Sequence, residues 1–151
     1  MQLILWRHAE AVDGLPDLER ELTRKGHKQA RKMGDWLAQQ LPAHVRVIAS
    51  PAQRAQQTAR ALTDTFEVVD AIAPGASANA VLDAAGWPDA RRAVVVVGHQ
   101  PTLGEVAAQL LATKALPWTI RKGAIWWLTY RVRENQGQIV LRAVMSPEFL
   151  G

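Results

Sequence analysis

Apolar positions in this chain fall into short runs separated by polar stretches, and the spacing within the runs changes along the sequence. Gln2–Trp6 is a brief apolar run that stops at Arg7-His8, which predicts a buried strand ending in polar residues. The stretch AEAVDGLPDLERE that follows is polar and broken by Gly and Pro, so it reads as loop. From Thr23 the period becomes helical: Ala30, Met33, Leu37 and Leu41 form one stripe, capped by Thr23 and stopped by Pro42. Val45–Ala49 predicts a second strand. Ser50-Pro51 reads as a helix start, a hydroxyl cap before a proline at the first helical position, with the helix reaching Asp64. Phe66–Val69 predicts a third strand, and Ile72–Ala80 a loop opening a helix over Asn79–Ala85. The run AVVVV at Ala93–Val97 is apolar on both faces, as a central parallel strand requires. Gly98-His99-Gln100-Pro101 breaks it before a helix over Thr102–Ala112. Ala124–Tyr130 and Gln138–Met145 predict an antiparallel pair joined through ENQG.

Strands alternating with helices predict a largely parallel α/β sheet covered on both faces. At 151 residues, without repeat, linker or low-complexity tract, the chain reads as one domain, 1–151. The absence of cysteine excludes a disulfide scaffold, a thiolate nucleophile and a thiolate metal site. The start MQLILWRH has no basic region and too short an apolar run for a signal or a membrane span, so a soluble cytoplasmic protein with no membrane partner is expected. A net charge of +4 favours anionic partners without choosing among phosphates, acidic proteins and nucleic acid.

Ligands of open α/β sheets collect beyond the carboxyl ends of the strands. Here one strand ends in Arg7-His8, another in Gly98-His99, and the helix after the second strand carries Arg54 in its first turn. Taken singly, each reads equally well as an ordinary loop residue; together they offer two imidazoles and two guanidiniums to one rim. Two guanidiniums can fork onto phosphoryl oxygens, and a helix start adds free N–H groups. Neighbouring positive charge keeps an imidazole neutral, hence nucleophilic toward phosphorus. The second histidine would stabilise charge in the transition state. With arginines neutralising the phosphoryl group, the reading needs no metal and no cofactor.

At this point Leu5-Trp6-Arg7-His8-Ala9-Glu10 resembles the RHG signature of the histidine phosphatase superfamily, which includes the phosphoglycerate mutases. Leu22-Thr23, Gly26 and Gln29-Ala30 resemble its LTxxGxxQA segment, and Ser50–Thr58 its SPxxRAxQT segment. Gly98-His99-Gln100-Pro101-Thr102-Leu103 is similar to the GHxPxL form of the small SixA-like phosphohistidine phosphatase branch, as is the tail at Met145-Ser146-Pro147. The resemblance implies a three-layer α/β/α sandwich with a mostly parallel central sheet. It also implies His8 as the phosphorylated nucleophile, with Arg7, Arg54 and His99 binding the phosphoryl group. Two positions depart from the pattern. The signature glycine is Ala9, and the carboxylate that usually donates a proton, in the loop after the third strand, falls at Ala71 with Asp70 beside it.

A missing acid bears on the substrate. Expelling an alkoxide calls for a general acid worth roughly 10²–10⁴-fold, whereas the P–N bond of phosphohistidine releases the better leaving group imidazole. The leading expectation is a protein phosphohistidine phosphatase acting on a phosphorelay-type domain. The alternatives are a small phosphate ester as substrate, or a non-enzymatic basic module for an acidic protein or nucleic acid. Glu10 and Asp13, in the loop after His8, could orient His8 or a water, though loop carboxylates are more often merely solvated; Asp70 is a further candidate acid. Arg24, Lys25, Lys28, Arg31 and Lys32 give the first helix a basic face that either receives an acidic domain or is simply solvated. His27 and His44 lack partners at metal-ligand spacing. Of the adjacent Trp126 and Trp127, a strand must point one to each face. Oligomeric state is not legible in the sequence.

Overall fold

In the computed structural model, which describes residues 1–151, the alternating apolar runs close into one six-stranded sheet clothed by helices on both faces. The elements in chain order are β1 (Gln2–Arg7), α1 (Arg24–Gln40), β2 (Arg46–Ala49), α2 (Gln53–Arg60), β3 (Glu67–Val68), α3 (Ala78–Ala85), β4 (Val94–Gly98), α4 (Thr102–Ala112), β5 (Ile125–Arg133) and β6 (Gln136–Met145). Single 3₁₀ turns occupy Asp17–Glu19, Asp70–Ile72 and Pro147–Phe149. The strand order is β3-β2-β4-β1-β5-β6. β3, β2, β4 and β1 pair in parallel, while the β5–β6 hairpin joins β1 antiparallel.

Period-two alternation along β1 and β4 divides the core. Ile4, Trp6, Val95 and Val97 face Met33 and Leu37 of α1 and Ala55 and Ala59 of α2. Leu3, Leu5, Val94 and Val96 face Val81 and Leu82 of α3 and Leu103 and Val106 of α4. All eight strand residues are essentially inaccessible, each contributing roughly 1.5–3 kcal/mol of burial. The result is the expected three-layer α/β/α sandwich. β4 lies between β1 and β2, so the carboxyl ends of all three open side by side. No helix is long and apolar enough to cross a membrane.

The sequence expectations miss mainly at element ends. α1 starts from Thr23, whose hydroxyl accepts the Gly26 N–H at 2.9 Å. α2, however, starts at Gln53 rather than at Ser50-Pro51, because the Ser50 hydroxyl accepts the nearby Ala52 N–H and meets His99 instead of capping the helix. It ends at Arg60, short of Asp64, where α1 crosses so closely that a side chain at Gly34 would collide with the Ala61 carbonyl. The ENQG turn contracts to Glu134-Asn135, both left-handed (φ 51° and 62°), so both hairpin strands run on to meet it.

Candidate active site

β1 delivers Arg7 and then His8, whose backbone is held from both sides. The His8 N–H donates to the Gly98 carbonyl of β4, and the His8 carbonyl accepts the Gly123 N–H, each at 3.1 Å. His99 follows directly after β4, its ring centroid 5.1 Å from that of His8. α2 contributes Arg54, only 4% exposed. The link from α2 to the residue after His8 is direct: the Ala9 N–H donates to the Thr58 hydroxyl, which donates to the Arg54 carbonyl. Ala9 is itself buried against Leu22 and Ala30, so its methyl fills core space away from solvent.

Arg7, His8, Arg54 and His99 thus converge on one cavity of about 240 Å³, completed by Ala11, Asp13, Arg20, Pro74, Gln100 and Lys122. A larger groove of about 410 Å³ between α1 and α2 holds none of the strand-end residues. In the smaller cavity, His8 Nδ1 lies 2.7 Å from the Ala9 carbonyl. A carbonyl only accepts, so Nδ1 carries the proton and Nε2 keeps its lone pair. Arg7 Nη1 donates to the Ile120 carbonyl, while Arg54 Nη1 and Nη2 donate to the backbone and carboxylate of Asp17. The Nε–H of each arginine is buried without a partner, an arrangement whose cost is relieved by an anion.

Burial, with the charges of Arg54, Arg7 and Arg20 behind it, pushes His8 down to about 4 despite the opposing bond to Ala9. Burial also pushes His99 down to about 3, aided by His8, Arg54 and Arg7 and opposed by Asp17. Both rings are therefore neutral near pH 7. No group of three or more His, Asp or Glu side chains is arranged to hold a metal ion.

The three carboxylates considered from sequence separate. Asp13 lines the cavity at its exposed edge. Glu10 does not: its carboxylate accepts the Thr23 hydroxyl at 2.7 Å and so braces the start of α1 rather than His8. Asp70 is exposed in its 3₁₀ turn and outside the lining, and Pro74 is what its segment brings to the cavity. Sequence reasoning missed Asp17 and Arg20. Asp17 sits between Arg54 and Arg20, and bonds from Arg20 and then Arg54 hold its carboxyl below the usual range. Their three-residue spacing was a faint signal inside a loop that otherwise read as merely polar. The roles of Gln100 and Lys122 were also missed: Gln100 stands at the variable position of the GHxPxL-like segment, and Lys122 lies just before the Ala124–Tyr130 run, where nothing marked it.

The family model of the histidine phosphatase superfamily (branch 1) matches residues 3–74. The phosphohistidine phosphatase SixA homolog of Haemophilus influenzae is 34% identical over 126 residues, covering 73% of this chain and 77% of that protein. The chain belongs to the histidine phosphatase superfamily. Phosphohistidine phosphatase SixA of Escherichia coli is 31% identical over 127 residues, 78% of each chain. The structure of the protein histidine phosphatase SixA complexed with tungstate superposes with a TM-score of 0.80 at 28% identity over 99% of both chains. Within the superfamily, this is a chain of the SixA-like branch. At 18% identity and a TM-score of 0.70 over 96% of both chains, an Entamoeba histolytica phosphoserine phosphatase shares the fold.

Proposed function

We propose that the chain is a single-domain, metal-independent phosphatase that removes phosphoryl groups from protein histidine by way of a phosphohistidine on His8. The observation that carries this is the His8 Nδ1–H donated to Ala9, which leaves Nε2 as the nucleophilic atom beside two unpartnered guanidinium N–H groups. The Nε2 lone pair attacks phosphorus as the bond to the leaving nitrogen breaks, and that imidazole keeps the electron pair and takes a proton from water. Water then attacks phospho-His8, giving inorganic phosphate and restoring Nε2. Arg7 and Arg54 bind the equatorial oxygens through their free Nε–H groups. Ser50 Oγ lies 2.7 Å from His99 Nε2; with the hydroxyl as the donor of this bond, His99 keeps Nδ1–H as the donor for a phosphoryl oxygen. Asp13, exposed at the edge, is the sole carboxylate lining the cavity, a setting that suits a leaving group needing little acid assistance. The names of the SixA relatives support the same substrate class.

The test combines trapping and comparison. His8→Ala is expected to abolish hydrolysis of p-nitrophenyl phosphate, and Arg54→Ala to lower kcat by roughly 10²–10³-fold. Quenched turnover should trap phosphate on His8 that is stable in alkali and lost in acid. A phosphorylated histidine phosphotransfer domain should be turned over well ahead of sugar phosphates. Comparable rates on both, or loss of turnover with chelator, would overturn the reading.

A further inference from the structure

The geometry points to a docking surface for an acidic protein segment along the outer face of α1, leading to the catalytic cavity; it rests on the phosphohistidine reading and names the partner's chemistry. Arg24, Lys25, Lys28, Arg31 and Lys32 are all exposed, and spacings of three, four and seven residues set them on the side opposite the buried stripe of Ala30, Met33 and Leu37. None makes a salt bridge; three of the molecule's four ion pairs lie elsewhere, and the fourth, Arg121–Glu148, borders the far side of the cleft beside Lys25 and Lys32. The run from residue 24 to 32 spans about 12 Å along the helix.

The surface is continuous with the site. Gly26 sits so tightly on the Glu10 backbone that a side chain there would strike the Glu10 carbonyl, which fixes the first turn of α1 two residues beyond His8. A cleft of about 300 Å³ separates Lys25 and Lys32 from Arg121, and the next residue, Lys122, lines the catalytic cavity. Lys122 at the cavity mouth thus leads, across a cleft where Glu148 pairs with Arg121, to the unpaired cations of the helix.

Two further features separate this face from an ordinary solvated one. Solvated helix faces usually mix both signs, whereas α1 has no carboxylate before Asp35. The charges also lie at the wrong end. The first turn of α1 has no acidic residue and its last turn no basic one, so the cations sit against the positive end of the helix dipole. Such an arrangement is unfavourable in the isolated chain, and acidic side chains docked upon it relieve the repulsion. The occupant is protein rather than nucleic acid or lipid. The stripe carries no apolar side chain to enter a bilayer, and the His27 imidazole at its edge is the one ring in the run, too few for a stacking platform.

The experiment uses two synthetic peptides, each with one phosphohistidine, followed either by aspartates and glutamates at four to eight positions' distance or by serines. An extended chain covers the 12 Å stripe in about four residues. Wild-type protein is expected to hydrolyse the acidic peptide with a kcat/KM at least tenfold higher, an advantage that shrinks with added salt. Lys25→Glu/Lys28→Glu/Arg31→Glu should erase that advantage, leave p-nitrophenyl phosphate turnover unchanged, and hold or raise Tm, since carboxylates suit a helix start. Equal rates on the two peptides, or an advantage that survives in the variant, overturns the proposal. Fluorescence anisotropy of the acidic peptide with unphosphorylated histidine gives a second arm. If p-nitrophenyl phosphate is hydrolysed but neither phosphopeptide is, the phosphohistidine reading falls; the docking surface is then judged by binding alone. Peptide bound by wild type and not by the variant supports it, and equal binding overturns it. A single-stranded oligonucleotide of equal charge that binds as tightly as the peptide overturns the assignment to protein.

Discussion

Burial among guanidiniums gives His8 and His99 values of about 4 and about 3, well under the ordinary 6.5. For activity, the acid limb of kcat/KM for p-nitrophenyl phosphate should fall near 4 instead of 6.5, and a pH–rate profile of the free enzyme reads this directly. For stability the sign follows from both values being lowered by folding. The unfolded chain binds the extra protons, so the contribution is complete above 6.5 and is lost as pH falls through the interval down to about 4 and then about 3. Thermal denaturation across that range should show wild type losing more Tm than His8→Asn/His99→Asn. Asp17 is the other residue whose removal should tell. Its backbone carbonyl holds Nη1 of Arg54 and its carboxylate holds Nη2, which together aim the free Nε–H; Asp17→Ala removes the carboxylate bond and should lower kcat/KM about tenfold, with Asp17→Asn intermediate because its side-chain oxygen still accepts from Nη2. Arg7, His8 and His99 were legible in the sequence because each ends or follows an apolar run. Asp17 and Arg20 were not: tertiary bonds such as Arg20 Nε to the Val12 carbonyl and the Ala11–Leu22 bridge bend their loop over the cavity, and no local pattern encodes them.

Elements with a strong internal period came through best. α4 begins and ends where its apolar pattern does, and α1 obeys its Thr23 cap. α2 was misplaced because a serine before a proline looks like a cap until a distant histidine claims its hydroxyl. The third strand, expected over Phe66–Val69, forms there but only as the exposed pair Glu67–Val68 at the sheet edge. Gly26 is where one element sets another's position: with no side chain, it lets α1 rest on the Glu10 backbone, reinforced by the Thr23–Glu10 bond. Gly26→Ala should force the two apart at a cost of about 1–3 kcal/mol. A drop of several degrees in Tm, accompanied by a fall in kcat from displacement of the loop after His8, is expected; unchanged values for both would show that the close approach is easily relaxed.

At the scale of the molecule, the ends of parallel strands, the start of α2 and the loop before β5 meet at a cationic hollow in which two buried guanidinium N–H groups lack partners. Inorganic phosphate should therefore stabilise the fold by about 2.7 kcal/mol at a hundredfold excess over its Kd, raising Tm by several degrees. Arg7→Ala/Arg54→Ala should abolish that rise in a thermal-shift titration. The parallel sheet and its coverage were legible from alternating runs, but the insertion of β4 between β1 and β2 was not, since it depends on which strands find each other across the chain. The backbone of His8, bonded on one side to Gly98 and on the other to Gly123, carries a consequence for turnover. On the proposed mechanism, a nucleophile anchored in this way cannot swing between two reactants. In-line displacement makes the first product leave along the axis by which water must arrive, so one doorway serves departure and entry in strict succession. A dephosphorylated partner that lingers there blocks the second half of the cycle, and tight association then slows the enzyme it serves.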